Sequence, residues 1–388
     1  MFGVEVSGVF DGVAYSGGGA VVVVEGERVV EVLPGGAEVA CEVVRYPGAT
    51  LLPGLIDVHV HLCCDGGPGA LDRIPECSDG EMVAVIENSL AAQLAAGVTA
   101  VRDLGDRSWA VVDWQDRADV YPTVVASGPP ITTPLGHCWN MGGAVSGLDE
   151  LRRAVDERAH RGADLVKIMA SGGVNTPGTD PAAVQFSAEE LTAVVSEARA
   201  VGLPVVAHAH SLQSIKNALA AGVDGIEHCS FLTGDSIDVA ERVVGELVSS
   251  RTTVCPTLGI KPGAVPPPAV QEMLRRTGTD LESRNRLAAK LHHAGVRLVS
   301  GSDGGISPGK PHGLLPESVI AMVNGGIPTP AALASATSLA AATCGLGETH
   351  GRILPTYTAN FLLVPGNPLA DITTLRTPLA IYLRGRLV

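Results

Sequence analysis

Residues 91–105 read AAQLAAGVTAVRDLG. A segment of helical period closes on Ala-Gly, and a β-branched run follows at once. Glycine just past a helix supplies a left-handed cap, and an apolar strand with little alternation reads as buried on both faces. The same junction recurs in RAHRGADLVKIMAS (158–171), ARAVGLPVVAHAH (198–210), NALAAGVDGIEHCS (217–230) and KLHHAGVRLVSGSDG (290–304). Helix and strand therefore alternate.

Outward from these junctions, LLPGLIDVHVHL (51–62), YPTVVASGPPIT (121–132) and RTTVCPTL (251–258) bring the strand candidates between residues 51 and 304 to eight. Eight alternating units over about 250 residues fit an α/β fold of the (β/α)8 TIM-like barrel kind. An open dinucleotide-binding sheet would need an early Gly-rich phosphate loop, which is absent. The ends differ in character: VVVVEGERVVEVL (21–33), GRILPTYTANFLLVPGNPLADI (351–372) and PLAIYLRGRLV (378–388) are short strand-like runs between turns. The expected organisation is a metal-binding barrel over 51–349 and one small β-sandwich built jointly from 1–50 and 350–388.

A hydrophobic fraction of 46% excludes a disordered chain. The formal net charge of -14, with no basic run, disfavours nucleic acid and anionic membranes as partners. The N-terminal stretch MFGVEVSGVFDGVAYSGGG lacks the basic start of a signal peptide, and no apolar run approaches spanning length, so a cytoplasmic protein is expected. The eight cysteines (41, 63, 64, 77, 138, 229, 255, 344) form no C-x-x-C pairs, and reduced thiols are expected.

Chemistry concentrates at strand ends. His59 and His61 stand at i and i+2 and share a face, so they can grip one metal. Other strand ends carry Lys167, His208, His210, His228 and Asp303. Singly, each has an ordinary explanation: a core histidine, a snorkelling lysine, an aspartate capping a turn. Those explanations do not predict recurrence at one end of successive strands, where barrel enzymes assemble their sites. His210 keeps the structural reading. Cys63, Cys64, Cys138 and Cys229, beside these residues, read as small buried side chains, and Arg102 with Asp103 reads as an ion pair at the barrel mouth.

The opening LLPGLIDVHVHL followed in order by Lys167, His208, His228 and Asp303 resembles the amidohydrolase superfamily over nearly the whole chain. SGGVNTPGTDPAAVQFSAEEL (171–191) and PPITTPLGHCWNMGG (129–143) resemble its imidazolonepropionase-like branch, which contains metal-dependent prolidases, Xaa-Arg dipeptidases and ochratoxinase-type amidases. The resemblance implies two divalent cations, zinc by ligand type although other first-row metals suit nitrogen and oxygen donors. His59, His61 and Asp303 would hold one, His208 and His228 the other, with Lys167 bridging as a carbamate. It further implies cleavage of a C–N bond in a small amide or peptide-like substrate by a metal-bridging hydroxide. Asp303 would act as proton carrier and His137 as an oxyanion contact, although His137 also suits a turn in its Gly/Pro-rich loop. Homo-oligomers are common among such relatives.

Two departures stand out. Dipeptidase relatives tend to carry a tyrosine in an IEHGTYL-type stretch, where this chain reads IEHCSFL with Phe231; the implied substrate is different or more apolar. Asn360 replaces a usual aspartate in the terminal segment. Lys261, Lys310, Arg251 and Arg102 are candidate cations for a substrate carboxylate, and the Pro-rich loops 261–270 and 305–313 shape the site or merely connect. The alternatives are a mononuclear cyclic amidohydrolase or deaminase resembling imidazolonepropionase, which Lys167 disfavours, and a catalytically silent scaffold, which would have shed ligands.

Overall fold

The computed structural model describes residues 1–115 and 120–388. Eight short strands run parallel: β1 (Leu55–Val60), β2 (Val98–Asp103), β3 (Thr123–Ala126), β4 (Val166–Met169), β5 (Val205–Ser211), β6 (Gly225–Thr233), β7 (Thr253–Cys255) and β8 (Arg297–Leu298). They form two sheets, β1-β2-β3 and β8-β7-β6-β5-β4, the latter with Ser236–Ile237 folded back on β6. Isolated parallel bridges, Ile131 with Ile168 and Val60 with Gly304, link the edges of one sheet to those of the other. Every residue of β1, β2, β4 and β5 is buried, as strands covered on both faces require.

Helices 79–95, 148–161, 188–200, 212–221, 241–250 and 281–293 alternate with these strands. Two of them start on a Ser-x-x-Glu box, Ser78 with Glu81 and Ser187 with Glu190, which satisfies amide groups that the first turn would leave unbonded. At all five junctions read from the sequence the glycine is left-handed: φ is 81° at Gly97, 79° at Gly162, 78° at Gly202, 79° at Gly222 and 95° at Gly295. Among the described residues no helix is long and apolar enough to cross a membrane.

The chain ends meet in one eight-stranded sheet. Strand Val43–Pro53 lies parallel to Phe2–Phe10 and antiparallel to Phe361–Pro365, and this sheet has its own core of Val4, Val22, Val24, Leu51, Phe361 and Tyr382. The run 51–62 is consequently two strands and not one. Leu51–Pro53 belongs to the terminal sheet, and β1 begins after Gly54. A Cβ at Gly54 would lie 2.2 Å from Thr99 Oγ1, so only glycine lets the chain pass from one sheet to the other there. The candidate strand 121–132 contracts to Thr123–Ala126 because the Pro129-Pro130 pair interrupts the ladder.

Candidate metal centre

The carboxyl ends of the strands deliver the expected residues to one cleft of about 250 Å3, lined by His59, His61, Lys167, His208, His228 and Asp303. His137, His210 and Cys138 line it too. Asp303 and His228 are held at φ 59° and 66°. Non-glycine residues rarely occupy this region, and such strain gathers at functional sites.

Two donor groups emerge. In the first, His59 Nε2 lies 3.3 Å from His61 Nε2, and Asp303 Oδ1 lies 3.4 and 3.5 Å from the two nitrogens. His59 Nδ1 is 2.6 Å from a Glu227 carboxylate oxygen, and His61 Nδ1 is 3.1 Å from the Gly105 carbonyl. Both partners are acceptors, so in the neutral rings Nδ1 carries the proton and both Nε2 lone pairs face Asp303. Three lone pairs converging in a buried space repel one another unless a cation lies among them. The second group is His208, His210 and His228, with donor atoms within 4.8 Å of one another. His208 donates from Nε2 to the Gly172 carbonyl at 3.0 Å, which leaves Nδ1 as its free donor atom. His228 Nδ1 meets Thr257 Oγ1 at 2.8 Å, and its ring centroid is 5.3 Å from that of His59, so the two groups adjoin.

Lys167 Nζ is buried without a hydrogen-bond partner among the described residues. Desolvation by burial pushes its pKa down, against the pull of Glu227. His137 faces His208, ring centroids 4.6 Å apart. Its Nδ1 is 2.9 Å from Thr176 Oγ1, which also accepts from the Cys138 amide. The threonine proton is thus free for Nδ1, and Nε2–H of His137 remains a donor.

The ion pair expected between Arg102 and Asp103 does not form. Arg102 donates to Glu227 at 3.1 Å and to the Val58 carbonyl, whereas Asp103 accepts from the amides of Leu62 and Gly105. Adjacent strand residues point to opposite faces, so neighbours in sequence cannot pair. Glu227 is not among the residues expected from the sequence, although an acid inside an otherwise apolar strand, directly before His228, is a signal for it. Burial raises the Glu227 pKa, but His59 and Arg102 outweigh it and hold the carboxyl at about 2. Cys255 joins His59 and Glu227 in a third group behind the first, while Cys63, Cys64 and Cys229 line no part of the cleft.

Of the candidate carboxylate-binding cations, Lys310 lines the cleft but its Nζ is engaged by the carbonyls of Thr257, Leu258 and Ser302. Arg251 terminates helix 241–250, Lys261 is exposed, and Arg102 lies behind His59. Arg284, which stands in the first turn of helix 281–293 among other charged residues and so gives no signal in the sequence, does line the cleft. Phe231 is fully buried in the core, so the position where relatives place a tyrosine presents no side chain here; Ser230 faces the cleft instead.

Residues 50–388 match the Amidohydrolase family. The chain belongs to the amidohydrolase family. This amidohydrolase is 28% identical to ochratoxinase from Aspergillus niger over 366 residues, covering 85% of this chain and 73% of that protein. It superposes on a Xaa-Pro dipeptidase with methionine bound in its active site at a TM-score of 0.87, with 25% identity, covering 100% of this chain and 99% of the other. A prolidase complexed with N-methylphosphonate-L-proline gives a TM-score of 0.84 at 27% identity, with coverage of 100% and 99%. The amidohydrolase is therefore a hydrolase acting on carbon–nitrogen bonds, in the branch of prolidases and ochratoxinase.

Proposed function

We propose that the protein is a binuclear metal-dependent amidase that cleaves a linear amide or peptide-like bond of a small molecule. The observation that carries the reading is Lys167, which lines the cleft together with both groups of histidine donors and whose Nζ is buried without a partner among the described residues. An ammonium has no lone pair to offer a metal. A neutral amine, which burial favours, adds to carbon dioxide with loss of a proton and becomes an anionic carbamate able to bridge. On this reading His59, His61 and Asp303 would hold one cation and His208 and His228 the other, with carboxylated Lys167 as a further anionic ligand available to both. His210, its Nδ1 2.9 Å from Ser230 Oγ, packs on His228 and positions it.

The eight parallel strands with their linking bridges support a (β/α)8 barrel over 51–349, and the common sheet of the two ends supports a β-sandwich unit from 1–50 and 350–388. Two divalent cations, zinc by donor type, would supply a water acidic enough to attack an amide carbonyl and a Lewis acid for its oxygen. Asp303 takes the proton released by the attacking water and passes it to the amine nitrogen as the C–N bond breaks. Burial opposes its ionisation, but His61, His59 and Lys310 beside it outweigh that cost and hold its pKa well below the usual carboxylate range. His137 donates from Nε2 to the developing oxyanion. Glu227 and Arg102 keep His59 in the tautomer that this arrangement requires.

The test is metal content per chain, by elemental analysis of protein purified without chelator, together with hydrolysis of dipeptides, N-acyl amino acids and lactams followed by mass spectrometry. The expected result is about two metals per chain and cleavage of linear amides. One metal with only ring opening would replace the proposal with the mononuclear alternative and make Lys167 structural.

A further inference from the structure

A second cavity of about 290 Å3 lies beside the cleft, between β6–β7 and a helical hairpin, Pro268–Thr277 and Leu281–His293. Its walls are mainly apolar, with Leu274, Leu287, Ala288 and Leu291 prominent. The cavity and the cleft share His228, Ser230, Leu258, Met273 and Arg284, so they meet at the proposed metal site. An open, mainly apolar pocket of this size with a few polar groups at its mouth has the shape of a small-molecule site. The covering helix 268–277 has no fully buried residue, so its apolar side covers the cavity without filling it. An ion pair of 2.6 Å between Arg276 and Asp235 ties this helix to the turn after β6.

Arg284 stands where the two cavities join. Its one hydrogen bond runs from Nη2 to the Pro256 carbonyl at 3.3 Å, and among the described residues no carboxylate lies within ion-pair distance. The neighbouring Arg286, by contrast, pairs with Asp280 and Glu282. A half-buried guanidinium with no carboxylate in ion-pair contact among the described residues, at the mouth of an apolar chamber, suits a ligand that carries a carboxylate next to a bulky apolar group.

We infer that Arg284 and the cavity behind the 268–293 hairpin form the substrate subsite for an amide with a free carboxylate and a large apolar group beside it. This rests on the amidase reading for its reaction, but not for its binding. Arg284 fixes the carboxylate, the chamber takes the apolar group, and the scissile carbonyl is left over the histidines.

The experiment is calorimetric titration of the protein as purified with 3-phenylpropanoate, 3-phenylpropanamide and acetate. Phenylpropanoate should bind at least about tenfold tighter than either of the others. Arg284→Met, with Arg284→Gln as its companion should the first not fold, should weaken phenylpropanoate about ten- to hundredfold. Leu274→Trp, and independently Ala288→Phe, should fill the chamber and bring phenylpropanoate to the level of acetate. Equal binding of the amide, or carboxylate binding that survives loss of Arg284, overturns the inference, as does full affinity in both chamber-filling variants. A protein that cleaves linear amides without these discriminations refutes the subsite alone. One that binds phenylpropanoate through Arg284 yet hydrolyses no amide refutes the amidase reading alone.

Discussion

Asp303 concentrates two demands on one side chain: it faces the Nε2 atoms of His59 and His61, and it holds a left-handed backbone. Asparagine tolerates that backbone and matches the volume, so Asp303→Asn should keep the fold while kcat falls about 10³-fold, as loss of a proton carrier requires. Steady-state assays with circular dichroism check it, and an active variant removes Asp303 from the proposed role. Glu227 offers a different test because it touches His59 and Arg102 together. Glu227→Gln leaves the Arg102 charge buried without its anion, and should destabilise by about 3 kcal/mol or more. It should also weaken metal binding about 10- to 100-fold through the loosened His59 ring. Urea melts and metal titration measure the two effects, and unchanged affinity would show that His59 is oriented without Glu227. The candidate ligands were legible one by one because each is a metal-ligating type set within or just after an apolar strand. Glu227 and Arg284 were not, since an acid beside a histidine and an arginine in a polar helix have many ordinary meanings.

The helix–glycine–strand junction is the element-level signal that read most faithfully, because its cause is local: the chain must reverse within one residue at positive φ. Gly162 lies at φ 79° with open space around its would-be Cβ, so Gly162→Ala isolates the backbone term. It should cost about 1 kcal/mol in a urea melt. Gly97→Ala should cost more, since its Cβ would fall 2.6 Å from Leu362 Cδ1 in the terminal sheet; equal losses would mean that Leu362 yields freely. Other elements were hidden. The division of 51–62 at Gly54 depends on Thr99, a residue from another strand. The Pro-rich segment 261–270 opens into helix 268–277, and Pro266, Pro267 and Val270 line the cleft, as do Ser307 and Lys310 of the second Pro-containing loop.

Over the whole molecule, burial leaves many histidines neutral. Desolvation brings His312 and His350, both outside the candidate ligand set, to about 4, and His137 to about 3. These groups have folded pKa values below the unfolded value, so below about pH 6.5 the unfolded chain takes up more protons and stability falls until the folded pKa is reached. In the metal-free protein His61, where a proton takes the place of the cation, runs the other way: burial lowers its pKa, but Asp303 raises it to about 9, so its contribution is complete below about pH 6.5 and is lost as pH rises through about 9. The melting temperature of metal-free protein should therefore drop between pH 6.5 and 4, and His350→Gln should make the drop shallower. A melting temperature independent of pH across that interval would contradict the buried neutral state.

Strand and helix alternation, the separate character of the two ends and the identity of the candidate ligands were legible in the order of residues. Period, caps and turns are local consequences of side-chain shape and backbone geometry. Which ligands share a group, the pairing of Arg102 with Glu227 in place of Asp103, the inward burial of Phe231 and the chamber beside Arg284 came from packing. These features join residues more than a hundred positions apart or depend on the volume left between elements, and neither distance nor volume is written in local sequence.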